Sequence, residues 1–367
     1  MRAAVVRDVN APLRIEELRD PEPKAGEVLV QVAGCGVCHS DLHVQDGSIP
    51  FPMPVVLGHE ISGTVLAVGE GVDDVRVGER VAGAFIMPCG DCDACDAGRE
   101  ELCEEFFKHN RKNGTLYDGT TRLYDAAGDP VAMYSMGGLA EQAVLPARAV
   151  AQIPDGLPLA DSAIFGCALM TAYGAVATVA ALRPGEDVAV IGAGGVGVSL
   201  IQVARALGAG RIVAIDLDDD KLAFARSLGA TDTVNASSGD AVELTREATD
   251  GNGPQVAFEA IGNPRTFRQA TEMVADGGRC VMIGIAAPSV TGEVEITRLV
   301  RRKLQILGSL GGRPRQDLAA VMQLALEGKL ELENLISARF GLDQAAEAYG
   351  LLADGKIQGR GLIEFGT

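Results

Sequence analysis

Along the first 85 residues the apolar positions come in short runs, at 3–6, 27–32, 61–68 and 79–84. Pro21-Glu22-Pro23, Gly26, Gly69-Glu70-Gly71 and Gly78 punctuate them, a pattern that predicts short strands in a small barrel-like or sandwich domain. The strand pattern returns at 140–145. Between 108 and about 130 the chain is polar and too long and irregular for an ordinary connection, so it is expected to serve a site or an interface. From about Ser162 the period changes. Residues 162–181 are small and apolar at helical spacing, and 187–191 form a compact apolar run. Strands at 211–215, 255–260, 278–284 and 303–309 then alternate with helices at 219–228 and 265–275. That alternation predicts an α/β unit, a doubly wound parallel sheet covered by helices on both faces. Amphipathic helices are expected at 317–327 and 342–352, with a closing strand at 361–365. No internal repeat interrupts this order.

Length and charge narrow the reading. A chain of 367 residues exceeds the size at which one core stops growing, so two domains are expected. A net charge of −18 argues against nucleic acid and anionic membranes as partners and leaves a small-molecule substrate open. No apolar run reaches the ~18–20 residues of a membrane helix. The N-terminal Met1-Arg2-Ala3-Ala4-Val5-Val6-Arg7-Asp8 carries charge where a signal peptide needs an apolar core, so a cytoplasmic protein is expected. Eight cysteines in such a chain point to metal or catalysis rather than disulfides.

Their spacing says which. Cys38, in a run that also holds His39, Ser40, Asp41 and His43, is followed downstream by Gly58-His59-Glu60. Zinc takes Cys sulfur and His nitrogen, with three protein ligands and an open position when the site is catalytic. Cys38 and His59 supply two ligands and Cys167 is the candidate third. Cys89, Cys92, Cys95 and Cys103 lie in one short loop, and four thiolates close a tetrahedron with no open position. A structural zinc is the expected occupant, with an iron–sulfur cluster as competitor. Cys35 and Cys280 are read as buried core residues. Lys108, Arg111 and Lys112 form a basic patch, read as solvated charge, with contact to an anionic substrate group as the alternative.

The run at 188–191 leads into Gly192-Ala193-Gly194-Gly195-Val196-Gly197 and a helical stretch, with a second strand ending in Asp216. This is the strand–turn–helix context that a dinucleotide fingerprint requires. Gly192 permits the tight turn, Gly194 the approach of the pyrophosphate, and Gly197 close helix–strand packing. Asp216 would accept from ribose hydroxyls and repel a 2′-phosphate, which favours NAD.

With both cysteine motifs, the fingerprint and their order in hand, the chain resembles the zinc-dependent medium-chain alcohol dehydrogenases over essentially its whole length. Asn113-Gly114-Thr115-Leu116-Tyr117-Asp118-Gly119-Thr120-Thr121-Arg122 is similar to the branch with a long segment after the structural zinc lobe. The resemblance implies a β-rich GroES-like catalytic domain made of 1–168 and 310–367, a Rossmann NAD-binding domain at 169–309, and an active site in the cleft. It implies two zincs per chain and a homodimer or homotetramer. Carried over by position, Cys38, His59 and Cys167 bind the catalytic zinc, and Glu60 can approach it from behind. Asp41 orients the zinc-bound histidine, and Ser40 and His43 form a proton relay. Ile49 and Phe85 line the substrate pocket. His39 and Arg360 contact the pyrophosphate, Thr171 lies near the nicotinamide, and Gly195, Val196 and Lys221 complete the cofactor set.

The implied reaction is reversible hydride transfer between a primary or secondary alcohol and NAD. A thiol-dependent formaldehyde dehydrogenase is the rival enzyme, and an NAD-binding redox sensor on the same fold the rival without catalysis.

Overall fold

The computed structural model describes residues 1–287 and 289–366 and separates into two compact units. The first holds 1–170, 312–326 and the stretch from 336 onward; the second holds 171–311 and 327–335.

A seven-stranded sheet organises the first unit. Its order is Val150–Gln152, Arg80–Gly83, Ile61–Val68, Glu27–Val37, Arg360–Glu364 and Ile336–Gly341, and Gln142–Pro146 also pairs with the long Glu27–Val37 strand. That strand delivers Cys38. The strand near the C-terminus runs antiparallel to its end, with Gly361 opposite Val37 and Ile363 opposite Cys35. The expected strand at 27–32 therefore continues five residues further than the apolar pattern suggests. Glycine hides the continuation. A Cβ at Gly34 would lie 2.4 Å from the Ala160 carbonyl oxygen, and one at Gly36 2.5 Å from a Glu60 carboxylate oxygen. A second sheet, Arg14–Glu17, Arg2–Val6, Val55–Val56, Pro130–Met133 and Leu123–Tyr124, completes the unit's strands.

The 108–130 region is better ordered than its polarity suggests. A π-helical turn, Phe106–Arg111, begins it, and the pair Leu123–Tyr124 and Pro130–Met133 closes it. Buried Arg122 reaches back to Glu27, Nε donating to Oε2 at 2.8 Å, and also to Asp118.

The second unit is a six-stranded parallel sheet in the order Asp232–Asn235, Ile212–Asp216, Val188–Ile191, Val256–Glu259, Arg279–Met282 and Gln305–Gly308. The strand order is that of a dinucleotide-binding fold. Strand side chains such as Ala189, Val213 and Ala257 form its buried core with Ala270 and Met273 from the Pro264–Met273 helix. Side-chain caps start the helices. Asp218 accepts from the Asp220 and Lys221 amides, Asp240 from Val242 and Glu243, and Asn263 from Arg265, with Pro264 in the first turn.

Between 188 and 308 three elements exceed the expectation: Asp232–Asn235, Ala241–Ala248 and Ile296–Arg301. The run expected as helical at 162–181 is three short pieces, a 3₁₀ turn at Asp161–Gly166, an α turn at Ala168–Tyr173 and a π turn at Gly174–Val179. Cys167 sits at the first break, with φ −137° and ψ −70°. The segment 327–335 groups with the second unit rather than with the rest of 310–367. Its Glu331 amide donates to Gln202 Oε1 at 2.7 Å, and its carboxylate pairs with Arg205 at 3.0 Å. Among the described residues no helix is long and apolar enough to cross a membrane.

Candidate metal and dinucleotide sites

Cys38 caps the short helix His39–Gln45, which carries Ser40, Asp41 and His43. These residues stand out in the sequence by their chemistry, whereas the short helix that carries them does not. Helical spacing turns Asp41 inward, where it is fully buried, and leaves the His43 side chain 43 % exposed, 4.0 Å from Asp46. Ser40 Oγ lies 3.8 Å from Cys38 Sγ. Ile49, half-buried, donates its amide to the His43 carbonyl at 2.7 Å.

The fold brings Cys38, His59, Glu60 and Cys167 together, one donor atom from each lying within 4.8 Å of the others and all four residues buried. Asp41 holds the imidazole in place. Its carboxylate faces His59 Nδ1 at 3.0 Å and accepts from the Gly58 amide at 3.0 Å and the Tyr349 hydroxyl at 2.8 Å. A proton held on Nδ1 toward Asp41 leaves Nε2 free to face a metal. Burial disfavours a charged His59, but Asp41 and Cys38 outweigh it and raise its pKa well above the ordinary value. The hydrogen bond from Cys167 holds the Cys38 thiol well below its ordinary value, against the effect of burial. Glu60 is pushed up to about 7 by burial, although Arg360 opposes this from 3.1 Å.

Arg360 is itself buried, and its Nη1 also donates to the Val37 carbonyl at 3.5 Å. His39 is exposed at the start of its helix, and Thr171 is buried just after Cys167. Phe85 meets the His59 ring edge-on at 6.0 Å. Two residues absent from the sequence reading complete the surroundings: Tyr349, 308 positions from its Asp41 partner, and Tyr134, whose ring meets His59 at 5.5 Å. Neither lies in a motif, so nothing in the linear sequence marked them.

Cys89, Cys92, Cys95 and Cys103 form the second group, their sulfurs all within 4.8 Å of one another and two pairs at 4.0 Å. A tetrahedron with zinc–sulfur bonds of about 2.3 Å has edges of about 3.8 Å, so the donor set fits zinc closely. The Cys89 amide points at Cys103 Sγ from 3.2 Å and would stabilise a thiolate there. Cys35 is wholly buried outside both groups. Cys280 is also buried, and burial pushes its thiol up to about 12.

In the second unit Gly192 adopts φ +95° at the end of its strand, and Gly194 caps the 12-residue helix Gly195–Ala206, which includes Val196. A Cβ at Gly197 would lie 1.8 Å from the Gly192 carbonyl oxygen, whereas one at Gly194 would meet nothing within 4 Å. The turn is thus closed on its inner side and open on the side where a phosphate would approach the helix N-terminus. Asp216 borders it. Oδ2 accepts from the Ala193 amide at 2.7 Å and Oδ1 from Leu217 at 2.8 Å. Lys221 stands in the first turn of the next helix, its amide 3.4 Å from Asp218.

Comparison with known proteins agrees with this chemistry. Residues 24–155 match the alcohol dehydrogenase GroES-like domain, and 195–327 match the zinc-binding dehydrogenase family. An S-(hydroxymethyl)glutathione dehydrogenase of Photobacterium damsela subsp. piscicida is 35 % identical over 365 residues, covering 97 % of each chain. The crystal structure of an alcohol dehydrogenase zinc-binding domain protein from Burkholderia ambifaria superposes with a TM-score of 0.95 at 33 % identity, covering 100 % of this chain and 99 % of that one. A benzyl alcohol dehydrogenase from Acinetobacter calcoaceticus superposes at 0.93 with 28 % identity and the same coverage. These matches cover most of the chain, and the chain belongs to the zinc-dependent, NAD-dependent medium-chain alcohol dehydrogenase family.

Proposed function

We propose that the protein interconverts a primary or secondary alcohol with its aldehyde or ketone, with NAD as hydride acceptor or donor. The observation that carries this reading is the buried Cys38–His59–Cys167 donor set with Ser40 beside it and Asp41 behind it. When bound there, zinc supplies Lewis acidity that makes an alcohol hydroxyl acidic or a carbonyl electrophilic. Three protein ligands leave a position for substrate, while the lobe at Cys89–Cys103, with four thiols, leaves none and serves structure.

The chain's own residues do the rest. Ser40 Oγ takes the substrate's hydroxyl proton, a role that suits a group able both to accept and to donate. His43, on the exposed face of the same helix, exchanges protons with solvent. Asp41 keeps His59 oriented, and Glu60, paired with Arg360, sets the charge behind the ligands. Phe85 and Ile49 border the substrate and exclude water. Gly194, Gly195, Val196 and Gly197 receive the pyrophosphate, Asp216 the ribose hydroxyls, and Thr171 the nicotinamide, with His39, Lys221 and Arg360 contributing further cofactor contacts.

The test is metal content together with NADH formation on a panel of alcohols that includes S-(hydroxymethyl)glutathione. Two zincs per chain in wild type, one in Cys38→Ser, and turnover only in wild type are expected. Equal zinc in both proteins, or no turnover of any alcohol by protein carrying two zincs and NAD, would overturn the reading.

A further inference from the structure

Ser135 is a strained residue in a buried place. Its φ of +54° lies in the left-handed region that a side chain disfavours, and the residue is wholly inaccessible to solvent. Such a conformation persists only where the surroundings over-determine it. Asn110 does so here. Its Oδ1 accepts from the Ser135 amide at 3.0 Å and its Nδ2 donates to the Ser135 carbonyl at 2.8 Å, so one side-chain amide meets both backbone groups of the strained residue. Nδ2 also lies 3.2 Å from the Met133 carbonyl. Asn110 is itself fully buried and stands near the end of the π-helical turn Phe106–Arg111, a kind of turn frequent at functional sites.

Two aromatic rings depend on this arrangement. Tyr134 immediately precedes Ser135, and its ring meets His59 at 5.5 Å. Phe85 meets the same imidazole at 6.0 Å, and its carbonyl accepts from Ser135 Oγ at 2.9 Å. Arg111, next to Asn110, lies over both rings, 4.2 Å from the Tyr134 centroid and 5.6 Å from that of Phe85. The last two residues of the turn therefore act on the same pair of rings, Asn110 through the backbone and Arg111 by stacking. The Phe85 amide in turn donates to the Gly166 carbonyl at 2.9 Å, one residue before Cys167.

We propose that Asn110 is a positioning residue for substrate selection: by holding Ser135 it sets where the Tyr134 and Phe85 rings stand beside His59, and so which alcohols fit next to the metal site. The inference rests on the dehydrogenase reading above, in which Phe85 borders the substrate, and it names the group that holds that border in place. Hydrogen bonding explains why a side-chain amide is needed. An Asp would still accept from the Ser135 amide but would turn its second oxygen toward the Met133 and Ser135 carbonyls. An Ala would leave the Ser135 amide and carbonyl without their partner.

The experiment measures kcat/KM for ethanol, 1-hexanol and benzyl alcohol at saturating NAD in zinc-replete wild type, Asn110→Ala, Asn110→Asp and Ser135→Ala. In Asn110→Ala the ratio between the best and the poorest alcohol should narrow by about tenfold, through KM for the alcohol, because loosened walls discriminate less by size. KM for NAD should stay as in wild type. Asn110→Asp should behave like Asn110→Ala. Ser135→Ala, which loses only the bond to Phe85, should narrow the ratio less. A lower thermal midpoint with an unchanged ratio would overturn the proposal and make Asn110 purely structural. So would loss of zinc with an unchanged ratio, which would assign the network to Cys167 instead. Should Asn110→Ala fail to fold, Ser135→Ala carries the comparison, a narrowed ratio supporting the proposal and an unchanged one overturning it. Binding of the unreactive carbonyl compounds acetamide and hexanamide in the presence of NADH, followed by fluorescence, needs no turnover. If wild type oxidises no alcohol, the dehydrogenase reading falls and the amides decide the positioning alone. A ratio of amide affinities that narrows in Asn110→Ala supports it, and an equal ratio, or no binding by wild type, overturns it.

Discussion

Asp41 gathers three partners that lie far apart in the chain: the Gly58 amide, the His59 imidazole and the Tyr349 hydroxyl. Tyr349 is buried to 2 % exposure and comes from the C-terminal helix Ala345–Ala353, so that helix reaches the metal site through one hydroxyl. Removing it in Tyr349→Phe leaves one carboxylate oxygen of Asp41 without its donor and loosens the imidazole. Groups that orient metal ligands typically govern about 10- to 100-fold in metal affinity. Zinc transfer from the Cys38–His59–Cys167 site to a chromophoric chelator should therefore quicken by about tenfold, while release from the four-cysteine lobe keeps its wild-type rate. Unchanged kinetics at both sites would show that Gly58 and the backbone alone fix Asp41. The cysteines and the histidine that the fold brings together were legible in the sequence because metal sites demand particular residue types at fixed spacing. Tyr349, Tyr134 and the stacking of Arg111 were not, because each depends on a tertiary contact that local spacing does not encode.

At the level of elements, the region expected to be an irregular connection is tied down by ions. Arg122, 4 % exposed in its side chain, bonds Glu27 at the start of the long strand that delivers Cys38. Replacement by Met would leave Glu27 buried and uncompensated, which typically costs about 3–5 kcal/mol. Arg122→Met should show a clearly lower thermal midpoint, and a midpoint equal to wild type would mean that water reaches Glu27. Asp118 adds pH dependence. Burial raises its pKa, but Lys24 at 2.6 Å, Thr120 and Arg122 prevail and hold it well below the usual carboxylate range. A folded pKa below the unfolded value of about 3.9 stabilises the folded state above that pH, and the gain disappears as pH falls through the folded pKa. The stability gap between wild type and Asp118→Asn should therefore stay constant from about pH 8 to 5 and begin to close below about pH 4. A gap that closed near neutrality would assign it to another group. The alternating pattern of the second unit was readable because buried parallel strands are apolar throughout. Asp232–Asn235 escaped notice because its Asp and Asn are poor strand formers, and the Glu27–Val37 strand looked shorter than it is because close packing requires glycine at 34 and 36.

For the whole molecule the governing quantity is the imbalance of 50 acidic against 32 basic residues. Even if every base found an acid, eighteen carboxylates would remain to repel one another, and the folded state concentrates them. Salt acts on this in two opposing ways. It weakens exposed pairs such as Arg2–Glu141 and Lys356–Asp354, which contribute little in water, and it screens the mutual repulsion of the excess. Screening reaches further, because repulsion sums over many separations longer than the Debye length of about 10 Å at 0.1 M. The balance should favour stability at higher ionic strength. The thermal midpoint of the zinc-loaded protein should rise when sodium chloride goes from about 20 mM to about 0.5 M, where the screening length has shrunk to about 4 Å. Arg122→Met should rise by a similar amount, since the pair it lacks is buried and little screened. A midpoint that falls with salt would mean that surface pairing outweighs the excess charge, and the acidity would then have to be explained by something other than tolerance of self-repulsion.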